Sequence, residues 1–487
     1  MNFRSTRSDR ERVSAREAVL QGIAGDGGLF VPDRMDFSDF AWEEMLDLTT
    51  EEMAERIFSY FLDDFSEIPE IVRKAYSGKF SDPELTPVKK VGDRYVLELF
   101  HGPTAAFKDV ALSALPVLMS EAKKQLGRTD RILILTATSG DTGKAAMEGF
   151  SDVDGTAIIV FYPYGGVSPI QQLQMTTAPG KNVRAVAVRG NFDDTQTGVK
   201  KIFSALTEKL HGEGVTLSSA NSINIGRLVP QIVYYFKAYA VLLKNGEISR
   251  GEKIDFTVPT GNFGDILAGY YAKKMGLPVG KLVLAANENN VLRDFIRTGV
   301  YDKNRTFFRT NSPSMDILVS SNLERLLYDL SAGDTALVSD LMKSLSETGR
   351  YEIPAPMLEK LQESFSAYDT DEKATVETIR KVYEEENYLM DTHTAVAWAA
   401  AGQYLAEEKT AGKNVVLSTA SAYKFPDAVR EALGLPESSD PFEVIAMIAE
   451  KTGVRIPENL RTLSEKEVRF TDVIEIGEMP AYVLQSV

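Results

Sequence analysis

The feature that most constrains this chain is a set of short apolar runs that do not alternate. Ile132-Leu133-Ile134-Leu135 is apolar at every position. A strand with one wet face alternates with period two, whereas a strand covered on both faces does not. Comparable runs occur at Tyr95–Phe100, Ile132–Thr138, Ala157–Tyr162, Val183–Val188, Phe256–Pro259, Leu282–Ala286 and Val415–Thr419, with helical segments between them. Such strand–helix alternation predicts an α/β fold with parallel sheets and helices on both faces. Residues 1–93 read as a helical region. Ser14 and Glu17 form a capping-box pattern, Gly25-Asp26-Gly27-Gly28 breaks the first helix, and a second starts near Thr49–Glu52. The remainder divides into α/β domains over 94–250 and 251–487. A helical insertion at about 310–410 carries Leu323–Leu330, Ala336–Leu345, Ala374–Glu386 and Thr394–Glu407.

Composition excludes several chemistries. The chain has 487 residues, no cysteine and three histidines, His101, His211 and His393. Disulfides, thiolate catalysis and cysteine-held metals are therefore excluded, and no metal site is expected. Lack of cysteine suits a reducing cytoplasm, and the charged N-terminus lacks the apolar core of a secretory signal. The net charge of −16 comes without a basic run, so no nucleic-acid partner is expected. No apolar stretch is long enough to span a membrane. The sequence leaves the oligomeric state open.

Three places share one layout of buried strand, small-residue loop and helix. Their loops are Ser139-Gly140-Asp141-Thr142-Gly143, Thr260-Gly261-Asn262-Phe263-Gly264-Asp265 and Thr419-Ala420-Ser421. Such loops let backbone N–H groups and a helix N-terminus approach an anion. Each alone is equally well a tight turn; three together favour a ligand site. Nucleotide fingerprints are absent. Gly143-Lys144 is followed by Ala145 and preceded by Thr138 where a P-loop needs glycine, and Gly261-Asn262-Phe263-Gly264 is not a dinucleotide motif. A fourth segment, Glu98-Leu99-Phe100-His101-Gly102-Pro103-Thr104-Ala105-Ala106-Phe107-Lys108-Asp109, sets a lysine between a Gly-Pro turn and an apolar helix. Partial desolvation there lowers a lysine pKa and makes a nucleophilic amine. A Schiff-base lysine beside phosphate-binding loops is what pyridoxal 5'-phosphate requires.

The segments HGPTAAFKD, TSGDTGKAA, NSINIGR, PTGNFGDILAG and SPSMDI, with the N-terminal STR and AVLQGIAGDGGLFVP, resemble the threonine synthase family from residue 5 to about 426. The resemblance implies a fold type II pyridoxal-phosphate enzyme with two open, mostly parallel sheets. It implies that Lys108 is the Schiff-base lysine, and that Gly261, Asn262, Phe263, Gly264 and Asp265 hold the cofactor phosphate. Thr419 meets the pyridine nitrogen. Asp141 stands where related enzymes often have Asn near the ring hydroxyl. Ser139, Gly140, Thr142 and Thr104 belong to the substrate side. The family's usual A-H-P-A-K-F is here Ala420-Ser421-Ala422-Tyr423-Lys424-Phe425, and Lys424 is retained.

Asn221, Ser222, Asn224 and Arg227 either line the substrate pocket or cap the next helix. Ser314-Met315-Asp316 either closes the site or turns the chain. His101 reads as a turn residue and His393 as an ordinary early-helix residue. Lys144, Arg227 and Lys424 are the cations expected near a substrate phosphate, with Lys424 preferred. The implied reaction converts O-phospho-L-homoserine and water to L-threonine and phosphate, with Lys108 as nucleophile and repeated acid–base. The alternatives are a same-fold phospho-lyase releasing a keto acid, ammonia and phosphate, and a non-catalytic phosphate-binding protein.

Overall fold

The computed structural model describes residues 1–10, 12–138, 140–409 and 412–486, without the side chains of Phe192 and Asp193. Two sheets dominate. The larger has six strands in the order Phe365–Asp369, Val279–Ala286, Ile254–Pro259, Lys413–Ser418, Arg94–Glu98, Val88–Val91. All neighbours are parallel except the last pair, which is antiparallel. The smaller sheet, Val473–Glu475, Val183–Arg189, Thr156–Pro163, Arg131–Ala137, Val215–Ser218, is parallel throughout. Consecutive residues such as Ile134 and Leu135, or Val415 and Val416, are completely buried, as runs covered on both faces require. The predicted α/β class with two open, mostly parallel sheets is the observed one.

The sheets do not follow the contiguous ranges 94–250 and 251–487. Arg94–Glu98 pairs with Lys413–Ser418 in the larger sheet, and the three-residue strand Val473–Glu475 returns to the smaller one. Pairing across 286 and 320 residues leaves no local pattern to read. Two further expectations are corrected. The N-terminal region is not purely helical. Asn2–Ser5, Arg12–Ser14 and Phe30–Pro32 form a small antiparallel sheet of strands too short for their alternation to register. The region at about 310–410 is not purely helical either. Phe365–Asp369 forms the edge of the larger sheet, and Arg350–Glu352 pairs with Val300–Asp302. The Phe365 strand begins directly where the helix Ala355–Ser364 ends, which hides the change of period.

Local signals hold elsewhere. Ser14 and Glu17, and Thr49 and Glu52, make reciprocal capping boxes at the helices Ala15–Gln21 and Thr50–Phe61. The four helices expected between 310 and 410 are Leu323–Leu330, Thr335–Thr348, Glu372–Glu386 and Thr392–Glu407. The helix Ile225–Lys244 is buried almost all round and touches the helices Thr50–Phe61, Lys108–Leu112 and Gly264–Lys274. It therefore carries polar side chains from its first two turns into the interior.

Candidate active site

The carboxyl ends of the two sheets meet at Lys108, which opens the short helix Lys108–Leu112. The turn before it explains the HGPTAAFKD pattern. Asp109 is buried and accepts from the Thr104 N–H at 2.8 Å and the Thr104 hydroxyl at 2.6 Å. Gly102 is required because a Cβ there would lie 2.3 Å from the Asp109 side chain. Ala105 sits in the left-handed region at φ 58°. The tip of the larger sheet fixes this turn: Phe107 N–H donates to the Thr419 carbonyl at 2.8 Å, and Ser421 N–H to the Ala105 carbonyl at 3.1 Å.

Lys108 keeps part of its surface, yet its neighbourhood is dense enough for desolvation to be the largest effect on it. Burial, reinforced by the positive charges of Lys424 and Arg227 and opposed by Asp141 and Asp265, brings its pKa down to about 8. Its ammonium lies 4.4 Å from the Phe107 ring centre. Because the amine must be neutral to attack an aldehyde, uptake of pyridoxal phosphate by apoenzyme should accelerate with pH and level off above about 8. Stopped-flow absorbance from pH 6 to 10 checks this; a midpoint near the ordinary lysine value, about 10.4, contradicts it.

Two helices present N-termini here whose N-cap residues make no side-chain cap among the described residues. In the helix Asp141–Phe150, however, the Gly143 N–H already donates to the Thr138 hydroxyl at 2.9 Å. Gly264–Lys274 follows Phe263, which is left-handed at φ 64° with its ring buried against Phe365, so at this position the loop offers backbone to a ligand. Asp141–Phe150 follows Gly140, at φ 139°, where a Cβ would meet Gln171 at 2.4 Å. Buried helix starts leave N–H groups needing partners, and an anion supplies them. At Gly264 an added Cβ would find its nearest atom, on Asn322, at 3.4 Å. Protein packing thus does not demand glycine there. Gly264→Val should weaken pyridoxal-phosphate affinity by tenfold or more, on the order of one lost charged hydrogen bond, without lowering the melting temperature of the apoenzyme. Unchanged affinity on titration would remove the loop from the site.

Asp141 belongs to the smaller sheet's loop and Lys424 to the larger sheet's. They pair at 2.6 Å, both buried. Burial alone would raise the Asp141 pKa, but Lys424 and Lys108 outweigh it and hold the carboxyl well below its usual range. Lys424 also donates to the Thr104 carbonyl at 3.0 Å, and Gln171 donates to Asp141 at 3.0 Å. Lys424 is thus committed to protein partners, which weakens its expected role as a substrate-phosphate contact. Lys144 points elsewhere, pairing with Glu148 at 2.8 Å. Arg227 is buried, donates from Nη1 to the Ala220 carbonyl at 2.7 Å and leaves Nε without a partner among the described residues. Burial brings its pKa down to about 10.

Asn224 caps the helix Ile225–Lys244 through Gly226 N–H and donates to the Val19 carbonyl, so the capping reading applies to it. Asn221 and Ser222 are half-buried, and Ser222 lies beside Gly264. Thr142 is half-buried in the first turn of the helix Asp141–Phe150. Asn262 is exposed; its carbonyl accepts from Asn322 N–H at 3.1 Å. Ser139 lies outside the described residues. Sequence reading missed Tyr234 and Tyr235, whose hydroxyls donate to Asp265 Oδ1 at 2.5 and 3.0 Å. Burial raises the Asp265 pKa to about 6, and its Oδ2 has no partner among the described residues. The signal was available, because Tyr234 stands two helical turns after Arg227 on one face.

Two parallel sheets meeting at a desolvated lysine between uncapped helix starts define a class, and residues 87–421 match the family described as pyridoxal-phosphate dependent enzyme. Residues 2–76 match the threonine synthase N terminus and 394–483 the threonine synthase C-terminal family. Threonine synthase of Eremothecium gossypii is 37% identical over 99% of this chain and 97% of its own. That of Pseudomonas aeruginosa is 37% identical over 100% and 98%. The crystal structure of pyridoxal-phosphate-bound threonine synthase from Brucella melitensis superposes with a TM-score of 0.87 at 37% identity, covering 100% of this chain and 99% of that one. The chain belongs to the threonine synthase family.

Proposed function

We propose that the chain converts O-phospho-L-homoserine and water to L-threonine and phosphate, in the cytoplasm. The observation that carries this is a lysine amine of lowered pKa set between two uncapped helix N-termini. Bound pyridoxal phosphate supplies an electron sink for negative charge developing at the substrate α-carbon. The residues present fit that group. The N-terminal N–H groups of the helix Gly264–Lys274 would hold its phosphate, and Thr419 and Asp141 would supply the polar groups for its ring nitrogen and ring hydroxyl.

Lys108 Nζ takes the α-proton and later returns one, a double role suited to a pKa near the working pH. Lys424 keeps Asp141 ionised, and Asp141 in turn offsets the positive charge around Lys108. The N–H groups of Asp141 and Thr142 at the start of the helix Asp141–Phe150, without a partner among the described residues, receive the substrate carboxylate. Arg227, with its spare Nε, is a better candidate than Lys424 for the leaving phosphate, because its guanidinium still has a donor to give. A β-proton is lost as the γ-carbon–oxygen bond to phosphate breaks, and a proton is taken up at the γ-carbon. Water adds at the β-carbon, and Lys108 returns the α-proton.

Steady-state assays with O-phospho-L-homoserine, L-serine and L-threonine as separate substrates test this choice. Turnover of the phosphorylated compound with little deamination of the other two supports it. Efficient deamination of serine or threonine with no use of the phosphorylated compound overturns it.

A further inference from the structure

Outside the groups that face Lys108 lies a buried acid–imidazole pair that the proposed chemistry does not use. Asp391 is completely buried and caps the helix Thr392–Glu407. Its Oδ2 accepts from His393 Nδ1 at 2.7 Å, and its Oδ1 accepts from the Thr394 N–H at 3.1 Å and from the Thr394 hydroxyl. A carboxylate only accepts, so Nδ1 carries the proton and Nε2 is left as an acceptor. Nε2 accepts the backbone N–H of Ser314 at 3.1 Å. A main-chain N–H and not a hydroxyl occupies that nitrogen, so this is no nucleophile-activating relay.

The Ser314 turn bears directly on the phosphate loop. Its carbonyl would lie 2.6 Å from a Cβ at Gly261, so the two backbones touch. Thr392 ties the same turn to the helix by donating to the Asn311 carbonyl at 2.6 Å. From the other oxygen of Asp391 a second branch runs toward the pyridine end. The Thr394 hydroxyl shares a hydrogen bond with Ser418 Oγ at 2.9 Å, and Ser418 immediately precedes Thr419. The Thr419 carbonyl holds Phe107 N–H, one residue before Lys108. The His393 ring also packs edge-on against Phe425, next to Lys424, with ring centres 4.7 Å apart.

We infer that Asp391, His393 and Thr394 are positioning residues that fix the phosphate loop and the pyridine end of the cofactor site at one distance from each other. Neither branch touches the cofactor or substrate; each acts through backbone that does. The inference rests on the reading of the 261–265 loop and Thr419 as the two ends of that site. One buried carboxylate restrains both because its two oxygens are assigned to different branches.

Equilibrium titration of apoenzyme with pyridoxal phosphate, alongside thermal melts of the apoenzyme and kcat and KM of the holoenzyme, tests this. His393→Ala should weaken cofactor affinity by about tenfold, the loss of one buried hydrogen bond expressed as a binding ratio. His393→Gln keeps an amide oxygen able to accept from Ser314 and should recover most of that loss. Thr394→Val, isosteric and cutting only the second branch, should weaken affinity similarly. KM should change little in all three. Affinities of His393→Ala and Thr394→Val within twofold of wild type overturn the proposal, as does a His393→Gln no better than His393→Ala. A wild type that takes up no pyridoxal phosphate overturns the reading of the site itself, and the proposal with it.

Discussion

Lys108→Ala is expected to reduce turnover by at least about a thousandfold, within the range for removing a positioned acid–base and nucleophile together, while the folded state persists. The fold has little to lose. The amine is already desolvated, and its attraction to Asp141 is offset by repulsion from Lys424 and Arg227, so its removal changes the local charge balance little. The turn that presents it is held independently by Asp109, Thr104 and the Thr419 carbonyl. Circular dichroism and a thermal melt should match wild type. In the wild type, borohydride reduction followed by peptide mass spectrometry should place the cofactor on Lys108. An adduct on another lysine would falsify the assignment.

Lys424→Ala should be far more damaging to stability, costing about 3–5 kcal/mol, because it leaves a buried carboxylate without its partner. Asp141 and Lys424 are both nearly inaccessible, and no solvent can take over the charge. Replacing the pair together, as Asp141→Asn with Lys424→Met, should recover much of the loss, since two neutral groups need no ionic compensation. The pH dependence has a definite sign. In the wild type Asp141 has a folded pKa below its unfolded value of about 3.9, so its contribution is complete above that value and is lost as pH falls through the folded pKa. In Lys424→Ala, burial is opposed only by Lys108 and Gln171, so the Asp141 pKa rises. The stability deficit should therefore shrink between pH 7 and pH 5 as the carboxyl takes up a proton. Urea titrations at the two pH values measure this, and a deficit that grows on acidification contradicts the pairing.

Much of this was legible in the chain because the decisive signals are local. Ile132–Leu135 announces a strand covered on both faces, and Ser14-x-x-Glu17 announces a helix start. Gly102-Pro103 announces the turn before Lys108. What was not legible depends on distant pairing. Lys424 looks like a phosphate contact in sequence because it is retained where its neighbours depart from the family pattern; Asp141, almost 300 residues away, takes its charge. His393 reads as an ordinary helical residue because its partner Ser314 arrives from another turn. Phe365–Asp369 is too short, and too close to a helix, to be seen as a strand.

The most direct test of the proposed reaction is a complete product balance on purified holoenzyme supplied with O-phospho-L-homoserine alone. Lys108 must both remove and return a proton for water to be retained in the product. Threonine and inorganic phosphate should therefore appear in equal amounts, with no ammonia. Phosphate accompanied by ammonia and a keto acid, without threonine, would contradict the proposal and assign the site to elimination only.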